Sequence, residues 1–414
     1  MNLFSLSIRN VIAKPLSSLL SVLLFGFGVC IIVLILLTGT FLKDEISKNA
    51  SGIDLVVGAK GSPLQIILAS IFHIDFPTGN ISLEEADKLT KNRLVASAIP
   101  LSLGDSYKGY RIVGTTQKYA ELYAAEPGSG EWFGENMAAT IGAKVARDLQ
   151  LTIGDELQSA HGLAEGGGGH DEHPYRIVGI MKPTGKVVDN LILVSVQSVW
   201  NVHGHDQEDE HGADSELHQM VELERLGLSV TKEQLQNEDI TSMLLTYRSP
   251  MAAVQLPRIV NSTSNLQAAS PPYETARLFN IIGIGVELVN ILGIVIIVLS
   301  AVSVFIALIN SLKERKYELA IMRSMGAGRM KIFFLILLEG IILTLLGSTF
   351  GFVLSHLGFG ILSSSMEQFQ SAGLFFVMEE YYVLAASLIV GIFASVIPAA
   401  MAYRSDISET LSRG

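Results

Sequence analysis

Apolar residues crowd into four long stretches of this chain, and they alternate with polar residues over most of the remainder. The stretches cover residues 16–42, 281–312, 332–362 and 382–403. Each exceeds the roughly 20 helical residues needed to cross a bilayer core, so four transmembrane helices are expected. Charges inside them are few: Glu287 near the start of the second and Glu339 in the first turns of the third. The first stretch comes after Arg9 and Lys14 as a secretory signal would. Its apolar length is that of a span, however, and no small-residue cleavage site comes after it, so it is expected to be retained.

Between residues 43 and 280 the pattern becomes that of a soluble mixed domain. Strand-like alternation or β-rich runs occur at Leu94 to Ile99, Tyr110 to Val113, Tyr175 to Ile180, Leu191 to Val196 and Met243 to Tyr247. Helical spacing occurs at Ser82 to Lys91, where Ser82 and Glu85 have capping-box spacing, and at Ala143 to Gln150. Tyr110-Arg111-Ile112-Val113-Gly114 recurs as Tyr175-Arg176-Ile177-Val178-Gly179, which is either a pair of related β elements or a chance likeness of strands. The expected fold is a membrane protein of four transmembrane α-helices, with a large α+β extracytoplasmic domain between helices 1 and 2.

The distribution of basic residues orients this layout, because cytoplasmic loops near spans carry the positive excess. Arg9 and Lys14 precede the first span. Lys313, Arg315, Lys316, Arg323, Arg329 and Lys331 lie between the second and third, and residues 363–381 hold only acidic charges. The expected order is a cytoplasmic segment at 1–15, span 16–42, outer domain 43–280, span 281–312 and cytoplasmic segment 313–331. Span 332–362, a short outer loop at 363–381, span 382–403 and a cytoplasmic tail at 404–414 complete it. Both termini are thus expected in the cytoplasm of a bacterium, with the chain multi-pass in the cytoplasmic (inner) membrane. The third span carries Gly347, Gly351 and Ser355 four apart, the spacing of small residues that lets helix backbones approach closely in lipid.

Composition then removes several function classes. A net charge of −11 argues against a nucleic-acid partner, since phosphate binding needs clustered Lys and Arg. Cys30 is the single cysteine, so the chain can form no internal disulfide. No Ser-His-Asp, His-Glu-x-x-His or Cys-His arrangement stands out, and catalytic residues are not expected. Lys60-Gly61-Ser62 lacks the first glycine of a phosphate-binding loop, so any ATP hydrolysis and its Mg²⁺ are expected on a partner.

Three stretches carry a resemblance. Lys313-Glu314-Arg315-Lys316-Tyr317-Glu318-Leu319-Ala320-Ile321-Met322-Arg323-Ser324-Met325-Gly326-Ala327 is similar to the cytoplasmic "ER-x-x-E-I-x-x-x-R-x-x-G-A" segment of one family. Ala143 to Glu156 is similar to its outer-domain "A-x-x-L-x-L-x-x-G-D", and Ile397 to Leu411 to its C-terminal "P-A-x-x-A-x-x-x-x-P-x-x-x-L", with Ile407 at the second proline. The family is that of the MacB/FtsX-like ABC permeases, which includes the lipoprotein-releasing LolC and LolE.

The resemblance implies a MacB-like periplasmic core domain and an ATPase-coupling segment at Glu314, Arg315, Tyr317, Glu318, Arg323, Gly326 and Ala327. It also implies a permease that works as a dimer, with a second copy or a homologue. MacB carries an ATPase fused at its N-terminus and this chain does not, so a separate ABC ATPase subunit is expected. The mode of action expected on this resemblance is mechanotransmission to the outer domain, for export or extraction of lipoprotein, lipid-linked or other hydrophobic cargo. The alternatives are an FtsX-like scaffold that activates a periplasmic partner and metal-linked efflux.

The last alternative arises because seven of the nine histidines fall together: His161, His170, His173, His203, His205, His211 and His218. His170-x-x-His173 and His203-x-His205 let two imidazoles reach one Zn²⁺, although the same composition suits two solvated polar loops or a docking site for a periplasmic adaptor. The apolar run Leu64 to Phe72 reads as packing of a strand–helix unit, with contact to hydrophobic cargo as its rival. His356 within the third span reads as a packing residue.

Overall fold

The computed structural model describes residues 3–161, 174–203, 219–365 and 377–404. It divides into two units, Met1–Lys43 with Ile281–Gly414, and Asp44–Asn280.

In the first unit, four helices among the described residues are long and apolar enough to cross a membrane. The helices that contain them are Pro15–Ala50, Pro271–Glu314, Arg329–Ser365 and Met378–Arg404. Two shorter helices, Leu3–Ala13 and Lys316–Ser324, complete the unit. Pro271–Glu314 has 44 residues, about 66 Å at 1.5 Å per residue, and begins ahead of the apolar run. Large apolar residues such as Leu292, Leu299 and Phe393 stand exposed. Burial alone would leave a water-soluble bundle unstable with such a surface, whereas lipid tolerates it.

Small residues set where these helices meet. A Cβ on Gly351 would lie 2.3 Å from the Gly26 carbonyl oxygen, and one on Gly26 would lie 2.5 Å from the Phe350 ring. Gly347 faces Phe25 Cβ at 2.9 Å in the same way, and Ser355 is buried one turn further on, its hydroxyl donating to the Phe352 carbonyl at 2.8 Å. The first and third spans therefore cross backbone to backbone at Gly26, Gly347 and Gly351. A Cβ on Gly391 would likewise meet Thr344 Oγ1 at 2.1 Å, and the Ser348 and Ser387 hydroxyls bond at 2.9 Å, joining the third and fourth spans. His356 packs on the Phe352 ring, and its Nε2 stands 3.6 Å from the Glu380 carboxylate.

The second unit is α+β. Its main sheet, among the described residues, runs in spatial order Leu266–Ala269, Leu55–Ala59, Ser242–Tyr247, Val95–Tyr107, Tyr110–Thr115, Leu191–Ser195, Ala138–Ile141, Tyr175–Met181 and Pro127–Gly130. Two short strands attach beside this path: Glu156–Leu157 on Tyr175–Met181, and Ala160–His161 on Val95–Tyr107. All five strand readings from the sequence fall on these strands. The run Leu64 to Phe72 becomes the helix Pro63–Ser70, which buries Ile66, Ile67 and Ala69 against the sheet.

The repeated pentapeptide acquires a structural meaning. Tyr110–Thr115 runs parallel to Leu191–Ser195 with Arg111 opposite Leu191, and Tyr175–Met181 runs parallel to Ala138–Ile141 with Arg176 opposite Ala138. The two inner strands are antiparallel, with Leu193 opposite Thr140 and Ile192 opposite Ile141. A two-fold axis through the Leu193/Thr140 pair exchanges one parallel pair for the other. Each inner strand then leads into a helix, Ala143–Leu149 or Val196–His203. The repeat is therefore two related β elements, each pairing with a strand from the other half.

Two local expectations change. Ser82 makes no side-chain cap; its backbone pairs with Asp239, and the amide of Leu83 donates to Glu238, so the helix start is satisfied by a strand instead. The capping box lies at Thr231 and Gln234, whose side chains each accept from the other's backbone amide at 3.1 and 2.9 Å.

Where the helix Pro15–Ala50 ends, Asn49 accepts from the Val187 amide at 2.7 Å, and its carbonyl accepts from the Tyr123 hydroxyl at 3.2 Å. Tyr123 stacks edge-on against Tyr119, whose hydroxyl bonds His73 Nε2 at 2.8 Å. Burial, reinforced by the charge of Arg111, lowers the His73 pKa from 6.5 to about 3, so the folded protein keeps this imidazole neutral. The unfolded chain binds a proton there as pH falls below 6.5 and the folded one does not, so stability is intact above 6.5 and declines toward 3. At about pH 5 the deficit is about 2 kcal/mol. His73→Gln should flatten this acid limb in thermal melts at neutral and mildly acidic pH; equal pH dependence in both proteins would refute it.

Candidate functional site

The segment at 313–331 is assembled in three steps. Pro271–Glu314 ends at its acidic residue, Arg315 leaves helical geometry at φ −105° and ψ 13°, and Lys316–Ser324 forms a separate helix. Glu314 thus closes the preceding helix rather than riding on the short one with Glu318 and Arg323. At the far end Gly326 adopts φ +99°, its amide donates to Arg323 at 3.0 Å, and the Ala327 amide donates to Met322 at 2.9 Å. That bond pair is a Schellman closure, which favours glycine at the left-handed position.

Arg315 is the hub of the segment. It donates to Glu318 at 3.1 Å, to Glu339 at 3.4 Å, and through Nη2 to the Asn10 side-chain oxygen. Asn10 in turn donates to Glu339, which is 4% exposed within the third span's helix, and Lys14 pairs with Glu314. Ser7 adds a bond to the Leu335 carbonyl at 3.2 Å. Helix Leu3–Ala13, the end of Pro271–Glu314, helix Lys316–Ser324 and helix Arg329–Ser365 are thereby tied to one another. A buried carboxylate is costly unless paired and hydrogen-bonded, and here an arginine and an amide both serve it.

The short helix is two-faced. Leu319 and Ala320 are buried, while Tyr317, Ile321 and Met325 are 54%, 39% and 82% exposed. Spaced four apart, these three form one apolar stripe. Of the residues expected from the sequence, Glu314, Arg315, Tyr317, Glu318, Arg323, Gly326 and Ala327 all lie on or beside this helix. Asn10, Lys14, Glu339, Ile321 and Met325 were missed. The stripe could have been found from its spacing once the helix was placed at Lys316.

The histidines separate into two groups. His170, His173, His205, His211 and His218 lie outside the described residues. His203 closes the helix Val196–His203, with Nε2 3.2 Å from Asp105 Oδ2, and His161 stands opposite Asp105 in the strand ladder. Among the described residues, no group of three or more His, Cys, Asp or Glu side chains is gathered as a metal site.

Two family models match the sequence: the MacB-like periplasmic core domain over residues 18–231 and the FtsX-like permease C-terminal over residues 290–407. No curated protein matches it. Among solved structures, the periplasmic region of MacB from Actinobacillus actinomycetemcomitans is similar at 12% identity, covering 57% of this chain and 98% of that one, with a TM-score of 0.34. The extracellular domain of the noncanonic ABC-type transporter YknZ from Gram-positive bacteria is similar at 13% identity, covering 53% and 99%, with a TM-score of 0.30. The two matched regions take in most of the α+β domain and most of each of the four spans. The chain therefore belongs to the MacB/FtsX-like family of ABC-transporter permeases.

Proposed function

We propose that the chain transmits ATP hydrolysis on a partner ABC ATPase to movement of its outer domain, as one half of a dimeric permease in a bacterial cytoplasmic membrane with both termini inside. The observation that carries this reading is the stripe of Tyr317, Ile321 and Met325 on a helix otherwise rimmed by Glu314, Glu318 and Arg323. An apolar ridge with charges of both signs around it suits a groove on a protein partner, where the ridge supplies affinity and the rim supplies register. The hub at Arg315 then spreads force from this helix into the third span's helix and the N-terminal helix. Lipoprotein, lipid-linked or other hydrophobic molecules are the cargo class this reading favours. Exposed Ile74 and Phe76, on the segment after helix Pro63–Ser70, offer the outer domain an apolar contact for them.

Ile321→Asp combined with Met325→Asp tests the docking. The double variant should insert and fold as the parent does, yet lose stoichiometric copurification with the ATPase. If the ATPase still elutes one for one with the double variant, the stripe is not its seat.

A further inference from the structure

In the α+β domain one buried arginine has no paired carboxylate among the described residues. Arg111, on the strand Tyr110–Thr115, is 3% exposed. Its Nη2 donates to the Asp75 carbonyl at 2.7 Å, and its guanidinium carbon lies 5.3 Å from the centre of the Phe76 ring. Nε and Nη1 have no hydrogen-bond partner among the described residues. The Asp75 carboxylate accepts instead from the Phe76 amide at 2.7 Å, and His73, which feels the Arg111 charge, is neutral. Burial lowers the Arg111 pKa against the opposing charge of Asp75, yet a guanidinium stays charged, and a buried charge is costly unless paired and hydrogen-bonded. The strand does not impose this cost: Arg176 takes the same place in the repeated pentapeptide and is exposed. Arg111 differs in lying under Asp75 and Phe76, whose segment has a pinned backbone. The Ile74 amide donates to the Leu68 carbonyl at 3.2 Å, the Gln65 side chain to the Phe76 carbonyl at 3.0 Å and the Thr78 hydroxyl to the Ala59 carbonyl at 2.9 Å. On that backbone Ile74 and Phe76 stand 48% and 55% exposed. Exposed side chains change rotamer within nanoseconds, so the Phe76 ring can uncover the guanidinium while the backbone stays in place.

We propose that Arg111, Ile74 and Phe76 form a binding site for an anionic amphiphile: the Phe76 ring turns aside, a carboxylate or phosphate head takes the unpartnered donors of Arg111, and an aliphatic tail lies on Ile74 and Phe76. Planar guanidinium donors match the oxygens of either head, and each bond they make is charge-assisted. Apolar side chains around a few placed polar donors are the usual make-up of a small-molecule site. The inference deepens the cargo reading and rests on it for the apolar half of the contact; what it adds is the charge of the head. ATPase docking does not enter, since all three residues lie within Asp44–Asn280.

The test uses the full-length protein in a nonionic detergent, irradiated with a dodecanoate that carries a photoactivatable diazirine in its tail, with labelled peptides identified by mass spectrometry. The label should concentrate on the peptide that contains Ile74 and Phe76. Excess dodecanoate or dodecyl phosphate should suppress it and dodecanol should not; the stronger of the two suppressors identifies the head as carboxylate or phosphate. Arg111→Gln should lower the labelling at least about tenfold, the scale of a lost hydrogen bond to a charged group. Arg111→Lys should keep part of it, and Arg176→Gln should leave it unchanged. Should the Arg111 variants fold poorly, competition on the parent protein decides. Suppression by dodecanol as strong as by dodecanoate, or parent-like labelling in Arg111→Gln, overturns the anionic head and leaves the apolar contact at Ile74 and Phe76 standing. A peptide that takes no label from the probe overturns both.

Discussion

Arg315→Leu is expected to destabilise the membrane unit by about 3 kcal/mol, because removing one partner of a buried pair strands the other charge. The stranded group is Glu339, left with the Asn10 amide alone. Replacing both, as Arg315→Leu with Glu339→Leu, should recover most of the loss, since apolar residues suit that depth at least as well. Function should not track stability. The double variant should still fail to stimulate its ATPase, because the link from helix Lys316–Ser324 to helices Leu3–Ala13 and Arg329–Ser365 is gone. Thermal melts in detergent and ATPase assays of the reconstituted complex report the two quantities separately. Additive losses in the double variant would show that Arg315 and Glu339 carry no coupling energy, and restored stimulation would remove the hub from the mechanism.

The second large effect concerns the crossing of the first and third spans. Gly351→Leu should lower stability by about 3 kcal/mol, the upper end for overpacking, because its first carbon already falls on the Gly26 carbonyl and backbone cannot step aside as a side chain can. Gly360→Leu is the matched control: it sits on the same helix, and an added Cβ there meets nothing within 4 Å. The control should stay within about 0.5 kcal/mol of the parent. Size-exclusion profiles after graded heating would separate the two variants. Equal survival would mean the close approach at Gly26 contributes nothing to holding the bundle.

How much of this was legible in the sequence depended on the range of the interaction responsible. The four spans were readable because lipid imposes a length on each one separately, and the strands were readable because one buried face imposes alternation. The outcome at Ser82 was not readable, since a capping box is a local preference and Asp239, which pairs with Ser82, comes from a distant part of the chain. Asn10 was invisible for the same reason: its partners Arg315 and Glu339 are more than 300 residues away, and no periodicity encodes them. Asp105 sits among Leu103, Gly104 and Ser106, a stretch that gives no sign of which way the carboxylate faces. Only the pairing of Ala160–His161 and the end of Val196–His203 reveal its neighbours.

The strand Leu55–Ala59 lies between Ser242–Tyr247 and Leu266–Ala269, so both of its hydrogen-bonded neighbours are made last. A ribosome adds about 5–20 residues per second. The roughly 200 residues between these strands therefore take on the order of 10–40 s to emerge, during which the first span is already available to insert. Throughout that interval an unpaired β edge stays exposed, a template for misassembly. Assembly of this permease is thus expected to lean on a holdase, and slow codons before residue 242 would lengthen its vulnerable window.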